Sequence, residues 1–263
     1  MMTQNNNKTI DSRNKHKVKW LIFFAILGLF VTSGLSFGET NIGIPDINVS
    51  IDGDLEIANS MQLIIMLTIL SLAPSILIMM TTFTRYIIVL GFIRRALSLQ
   101  STPPNQVLIG LALFLTFFSM SNVLTEVYEE AYVPFQEGTV TIQEAADRAS
   151  EPIKTFMLRQ VRTKDLSLFL NIAEITEVNS NDDIPLRVVV PAFMISELKI
   201  AFEIGFLIFI PFIVVDMIVA STLMALGMMM LPPVMISLPI KILLFIMLDG
   251  WNLIIEKLIM SIR

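Results

Sequence analysis

PAFMISELKIAFEIGFLIFIPFIVVDMIVASTLMALGMMMLPP, residues 191 to 233, decides how the rest of the chain is read. Glu197, Lys199, Glu203 and Asp216 are set into its long apolar runs, and it ends in three methionines, a leucine and two prolines. An ionisable group at membrane depth costs roughly 3 kcal/mol on insertion scales, so such groups face a protein interior or a wet pathway. The stretch is too apolar for a soluble core helix and too charged for a simple anchor. It reads as a protein-lined part of a membrane assembly.

Composition agrees. Of 263 residues, 54% are hydrophobic and 16% charged, which places the chain with integral membrane proteins. It has no cysteine, which excludes disulfides, thiol nucleophiles and Cys metal sites. The one histidine, His16, lies near the N-terminus, which speaks against histidine catalysis and His-ligated metals. No nucleophile elbow, phosphate loop or dinucleotide fingerprint occurs, so neither an enzyme nor a cofactor is expected.

Residues 1–38 have the secretory pattern. Lys8, Arg13, Lys15, Lys17 and Lys19 precede the apolar run Trp20 to Thr32, and Ser33, Gly34, Ser36 and Gly38 follow. An uncleaved first membrane helix is the alternative, disfavoured because the run is short for a span. Without these residues the chain keeps 22 acidic and 13 basic side chains, a balance that disfavours nucleic acid. Residues 39–59, acidic and without a base, read as an exposed extracytoplasmic segment.

A first hydrophobic hairpin is expected over 60–124. Its apolar segments run from Ser60 to Met80, interrupted by Pro74, and from Val107 to Leu124. Between them Arg85, Arg94 and Arg95 have no acid nearby in sequence, so the positive-inside rule puts this connection in the cytoplasm, and Pro103-Pro104 breaks the helix. Residues 125–185 hold 12 acids and 5 bases and read as a small helical extracytoplasmic insert. There Ile153, Phe156, Met157, Val161, Leu166 and Leu170 recur at helical spacing, with a break or cap expected near Pro152. Residues 186–263 form the second hairpin, with breaks expected at Pro211, Pro232, Pro233 and Pro239. The fold class is all-α: membrane-associated hairpins of kinked hydrophobic helices around that insert.

Lys199 and Glu203 stand four residues apart and share a helix face, the spacing of an ion pair. Glu197, two residues before Lys199, points elsewhere. Asp216 needs a partner from another helix or chain, and Lys241 in the final apolar run is a candidate; Asp249 lies in that run too. These charges form either an ion pathway or structural pairs that fix helix register. Pairing lowers the burial cost without requiring transport, which favours the second reading. An aspartyl-protease dyad of Asp216 and Asp249 has nothing around it to specify that role. Met228, Met229 and Met230 sit where a helix must yield to irregular backbone, which at membrane depth is tolerated only inside protein or along a cavity. Unbranched and polarizable, they are either gap-filling core or a seal that repacks around a passing polypeptide.

Four stretches in order, TTFTRYIIVLGFIRRAL (81–97), PPNQVLIGLALFLTFFSM (103–120), PAFMISELKIAFEIGF (191–206) and PFIVVDMIVASTLMALGMMMLPP (211–233), resemble the FliP family of flagellar type III secretion. The resemblance runs from about Gln62 to the C-terminus, and the leader with its acidic segment looks more like the flagellar branch than the injectisome branch. It implies several copies assembling with FliQ and FliR into a helical pore in the bacterial inner membrane, projecting toward the periplasm, with FlhB and FlhA completing the gate. Unfolded flagellar subunits would pass through the central channel; much of the apolar surface would be covered by protein, so the hairpins need not cross the bilayer as conventional spans, with membrane lipid around the rest. Met228, Met229 and Met230 match the family's methionine gasket, and Arg85, Glu197, Lys199, Glu203, Asp216, Lys241 and Asp249 become buried-charge or assembly contacts. An injectisome gate is the runner-up. A secondary transporter would show an inverted repeat that the two unequal halves lack.

Overall fold

The computed structural model describes residues 67–68, 71–72, 74–175, 180, 183–228 and 230–262. The expected signal peptide (1–38), the acidic segment (39–59), most of the start of the first hairpin (60–73) and Met229 lie outside them. The described residues are helical, without strands.

In chain order the helices are α1 (Phe83–Ala96), α2 (Asn105–Ser119), α3 (Ser121–Val127), a π-helical turn (Tyr128–Tyr132), α4 (Val133–Gln136), α5 (Ile142–Gln160), α6 (Thr163–Ile172), α7 (Leu186–Ala225), α8 (Pro233–Met247) and α9 (Gly250–Met260). The 40-residue α7 is the spine, and α1, α5, α6 and α8 all pack on it. Its buried residues include Val188, Val189, Ala192, Phe193, Ser196, Glu197, Ala201 and Gly205, a stripe repeating every three to four positions. At 1.5 Å per residue α7 is about 60 Å long, twice the hydrocarbon thickness of a bilayer. It is the one described helix long and apolar enough to cross a membrane by itself.

Three other candidate spans are bent. The helix Pro74–Met80 meets α1 at 81°, α2 meets the arm Ser121–Gln136 at 64°, and α8 meets α9 at 64°. The expected run from Val107 to Leu124 therefore turns at Met120, and its last residues join the arm that leads into the insert. Prolines also act differently from expectation. α5 passes through Pro152, α7 through Pro191 and Pro211, and α8 through Pro239, while the break in the insert falls at Val161-Arg162. A helical proline costs about 3 kcal/mol. Here the flanking turns are held by packed neighbours, among them Phe156 and Met157 beyond Pro152 and the Phe212–Phe245 ring contact beyond Pro211.

The insert shares its core with the spine. Phe156 and Met157 of α5 pack in one cluster with Met120 and Val123 and with Val188, Val189 and Phe193 of α7. α5 starts at a capping box, where the Glu144 amide donates to Thr141 Oγ1 (3.3 Å) and the Thr141 amide donates to Glu144 Oε2 (2.8 Å). The Thr141 amide, and after it the Thr141 hydroxyl at 3.1 Å from Glu144 Oε2, hold the Glu144 carboxyl below its ordinary value of 4.5.

α1 and α7 approach closely at Gly205, where an added Cβ would run into the Phe92 ring. Phe92 in turn meets Phe202 and Phe209 edge-on, with centroids 5.6 and 6.4 Å away.

Two outcomes follow from this packing. Gly205→Ala overpacks the α1–α7 contact and destabilises the chain by about 1–3 kcal/mol, read as a lower midpoint of thermal unfolding in detergent. Thr141→Ala costs about 1 kcal/mol at pH 7. Because Glu144 is lowered in the folded state, its part of the cap is fully present above about pH 4.5 and disappears as the pH falls through the lowered value. The stability gap between wild type and Glu144→Gln therefore narrows on acidification; a gap constant from pH 7 to pH 3 contradicts this account.

Candidate functional site

Arg85 lies on the buried face of α1 with Val89, Ile93 and Ala96, and Glu197 lies in the buried stripe of α7. Both side chains are 0% exposed. Arg85 Nε donates to Glu197 Oε2 at 2.8 Å, and Nη2 donates to Glu197 Oε1. Nη2 also reaches Gln160 Oε1 at 3.3 Å, while Nη1 donates to the Ser261 carbonyl (2.8 Å) and to Ser261 Oγ (3.0 Å). Five N–H donors thus meet five acceptors on the end of α5, on α7 and just beyond α9. Only a guanidinium offers that fork; an ammonium has three donors. Arg85 is therefore an internal cation, and the positive-inside argument that put it on a cytoplasmic connection does not apply to it.

Next to Glu197, Ser196 takes hold of the start of α6. Its hydroxyl accepts the Arg162 amide (3.1 Å) and donates to Asp165 Oδ2 (2.8 Å). The orphan amide at that helix N-terminus is satisfied by a side chain from the spine rather than by a local cap. Arg162 Nη1 stands 3.7 Å from Glu203 Oε1. Glu203 consequently faces the insert, and the expected Lys199–Glu203 pair does not form among the described residues. Lys199 is exposed.

A second network joins α7 to α8. Lys241 Nζ donates to Asp216 Oδ2 at 2.6 Å and to Ser98 Oγ at 2.8 Å, and Ser237 Oγ donates to Asp216 Oδ1 at 2.6 Å. Lys241 is 2% exposed and Asp216 36%. Ser98 is held at φ +60° in the turn that ends α1, where its own amide and that of Leu99 bond back to Arg95 and Arg94. Asp249 is not part of this network: it is exposed at φ +48° before α9 and accepts from Asn252 Nδ2 at 3.2 Å. Asp216 and Asp249 thus have different partners, which leaves a protease dyad without support. Among the described residues no cluster of His, Asp and Glu is able to hold a metal ion.

The tip between α7 and α8 is built to stop the spine. Gly227 adopts φ +75°, its amide bonds to the Met224 carbonyl (3.0 Å), and the Met228 amide bonds to the Leu223 carbonyl (3.0 Å). This is a Schellman stop, which needs the left-handed conformation that glycine takes without penalty. Pro232 then caps α8, and Pro233 is its first residue. Met228 and Met230 hang on the segment between, 40% and 98% exposed.

Sequence reasoning had placed Arg85, Glu197, Asp216 and Lys241 among its candidates. It missed Gln160, Ser261, Ser98, Ser196, Arg162 and Ser237. Ser237 carried a usable signal, since it lies four residues before Lys241 on one helix face. The others come from distant segments and left no local trace.

Fold and site together define a multi-helix membrane protein with two internally paired ionic networks and exposed apolar helix faces. A profile of the FliP family matches residues 66–258. The flagellar biosynthetic protein FliP of Bacillus subtilis is 56% identical over 216 residues, covering 82% of this chain and 98% of that protein. FliP of Borreliella burgdorferi is 46% identical over 246 residues (92% and 97%), and FliP of Treponema pallidum 46% over 253 residues (92% and 93%). The chain belongs to the FliP family.

Removing one partner of the first network leaves a charge buried and unpaired. Glu197→Gln is expected to lower stability by about 3–5 kcal/mol, and Arg85→Lys also fails because two acceptors lose their donors. Replacing both ionic residues with leucine removes the uncompensated charge, so the double variant is recovered from membranes in larger amounts than either single variant. Equal recovery of all three would contradict the hub.

Proposed function

We propose that this component of the flagellar type III export gate oligomerises around a channel for unfolded flagellar subunits, with its methionine tip forming the seal. The observation that carries the reading is the tip itself: a 40-residue apolar helix is halted at Gly227, and methionines are then presented on irregular backbone. Such backbone is tolerated at membrane depth where it lines a cavity or is enclosed by protein. Flexible thioethers close against one another or around a chain of changing shape. Met229 takes part with Met228 and Met230 in this reading.

The partners are further copies of the chain, FliQ and FliR, with FlhB and FlhA completing the gate. Support comes from family membership and from the apolar residues that α7 leaves exposed, among them Phe206, Leu207, Met217 and Ile218. Residues 1–38 are a signal peptide and residues 39–59 an extracytoplasmic segment; 60–124 and 186–263 are the hydrophobic hairpins, and 125–185 is a periplasmic insert. The complex sits in the inner membrane and projects to the periplasmic side. Energy comes from other components, and this chain performs no catalysis. The relatives are flagellar by name, which favours the flagellar gate over an injectisome.

Changing Met228, Met229 and Met230 together to Ala tests the seal. The complex still assembles, ion leak rises and motility falls; unchanged leak through an assembled complex returns the methionines to ordinary packing. Asp216→Ala leaves Lys241 buried without its counter-charge and reduces the yield of detergent-stable complex, while wild-type yield would count against a role in assembly.

A further inference from the structure

We infer that Met230 is an oxidation site, through which hydroperoxides convert the closed seal into a leaking one. The inference rests on the seal reading above and adds a chemistry to it. Three observations carry it. Met230 is 98% exposed, whereas Met120 and Met157 are buried in the core shared by the insert and the spine. Met79, Met217, Met224, Met235, Met247 and Met260 are also exposed, but they stand on regular helices, whose outer faces lipid or neighbouring subunits cover in a membrane. Met230 stands instead between the Schellman stop and Pro232, on backbone whose polar groups need water or protein, and it is more exposed than Met228 on the same segment, so among the described methionines its sulfur is best placed to meet a small aqueous oxidant.

The step is a two-electron oxygen transfer. A lone pair of the thioether sulfur attacks one oxygen of hydrogen peroxide; the S–O bond forms as the O–O bond breaks, and the departing hydroxide takes the proton from the transferred hydroxyl and leaves as water, while an organic hydroperoxide would release an alcohol. Sulfur is oxidised by two electrons and the peroxide is reduced by two. The product is a polar, chiral sulfoxide in place of a flexible apolar side chain, and reductases of the sulfoxide class reverse it. An apolar constriction holds back ions by excluding water, so adding a strong dipole at its narrowest ring wets it. Restored thioether closes it again.

The test uses membrane vesicles containing the assembled complex, treated with hydrogen peroxide. Peptide mass analysis follows the added oxygen at each methionine, and ion leak is read before and after treatment in wild type and in Met230→Leu, each against its own untreated value. Met230 is expected to oxidise about tenfold faster than Met120 or Met157, leak in wild type to rise with it, and a sulfoxide reductase to reverse the rise. Met230→Leu, which has no sulfur at that position, shows no comparable rise. A Met230 that stays reduced while the buried methionines react overturns the proposal, and so does an equal peroxide response in Met230→Leu. The mapping needs only the wild-type complex, so a poorly assembling variant does not rescue the idea. If Ala replacements leak but peroxide spares Met230, the seal stands and only the oxidation site falls; if Ala replacements do not leak, the seal reading itself has failed.

Discussion

A guanidinium with no water to bind must find all its hydrogen bonds inside the protein, and Arg85 finds five. Burying an unpaired cation would cost several kcal/mol. The fold is therefore held to arrangements in which Glu197, Gln160 and Ser261 converge on one point of α1. These residues belong to the spine, to the last turn of the insert's long helix and to the segment after α9. One side chain thereby fixes the mutual register of elements up to 176 positions apart in sequence. Apolar packing alone would tolerate sliding along α7, whose surface is apolar on most sides; directional bonds do not.

Ser196 extends the same logic by one residue. With Glu197 holding Arg85 and Ser196 holding Arg162 and Asp165, consecutive residues of the spine grip the core hairpin and the insert. The insert shares its core with the spine, packing Phe156 and Met157 against Val188, Val189 and Phe193 of α7. It is an outgrowth of the spine rather than an independent module.

Much of this was legible in the residues. Apolar length announced helices and a membrane, Gly227 with Pro232-Pro233 announced where the spine ends, and isolated opposite charges at Asp216 and Lys241 called for one another. The bends were less legible. The bend at Met120 has no proline or glycine beside it, whereas Asp249-Gly250 does mark the turn between α8 and α9; Pro152, Pro191, Pro211 and Pro239 carry the breaker signature and yet lie inside helices. Proline removes one helical bond at a local cost, and the packing of neighbouring turns decides whether the helix continues; that packing involves residues far away in sequence. Glu203 shows the same limit. The i,i+4 rule offered it Lys199, but an arginine brought in by the insert lies within reach and faces it instead.

The two ionic networks also measure out the spine. Glu197 and Asp216 are 19 residues apart on α7, about 28 Å along the helix at 1.5 Å per residue, close to the ~30 Å of hydrocarbon that a bilayer presents. Nineteen steps of 100° also turn the helix by about 100° beyond five full revolutions, so the two carboxylates face different neighbours. That agrees with Glu197 meeting α1 and Asp216 meeting α8. Between them only Lys199 and Glu203 carry charge, both within two turns of Glu197. The stretch from Ile204 to Val215 is therefore the part of the spine suited to an apolar surrounding, and the ionic networks stand at its margins. From Asp216 the helix continues for two and a half turns to the Gly227 stop. A lever of fixed length thus separates the anchored Asp216–Lys241 pair from the methionine tip. Because Lys241 sits on α8, the same pair ties down the helix that leaves the tip. The helix that leads into the methionine segment and the helix that leaves it are consequently joined by one ionic contact.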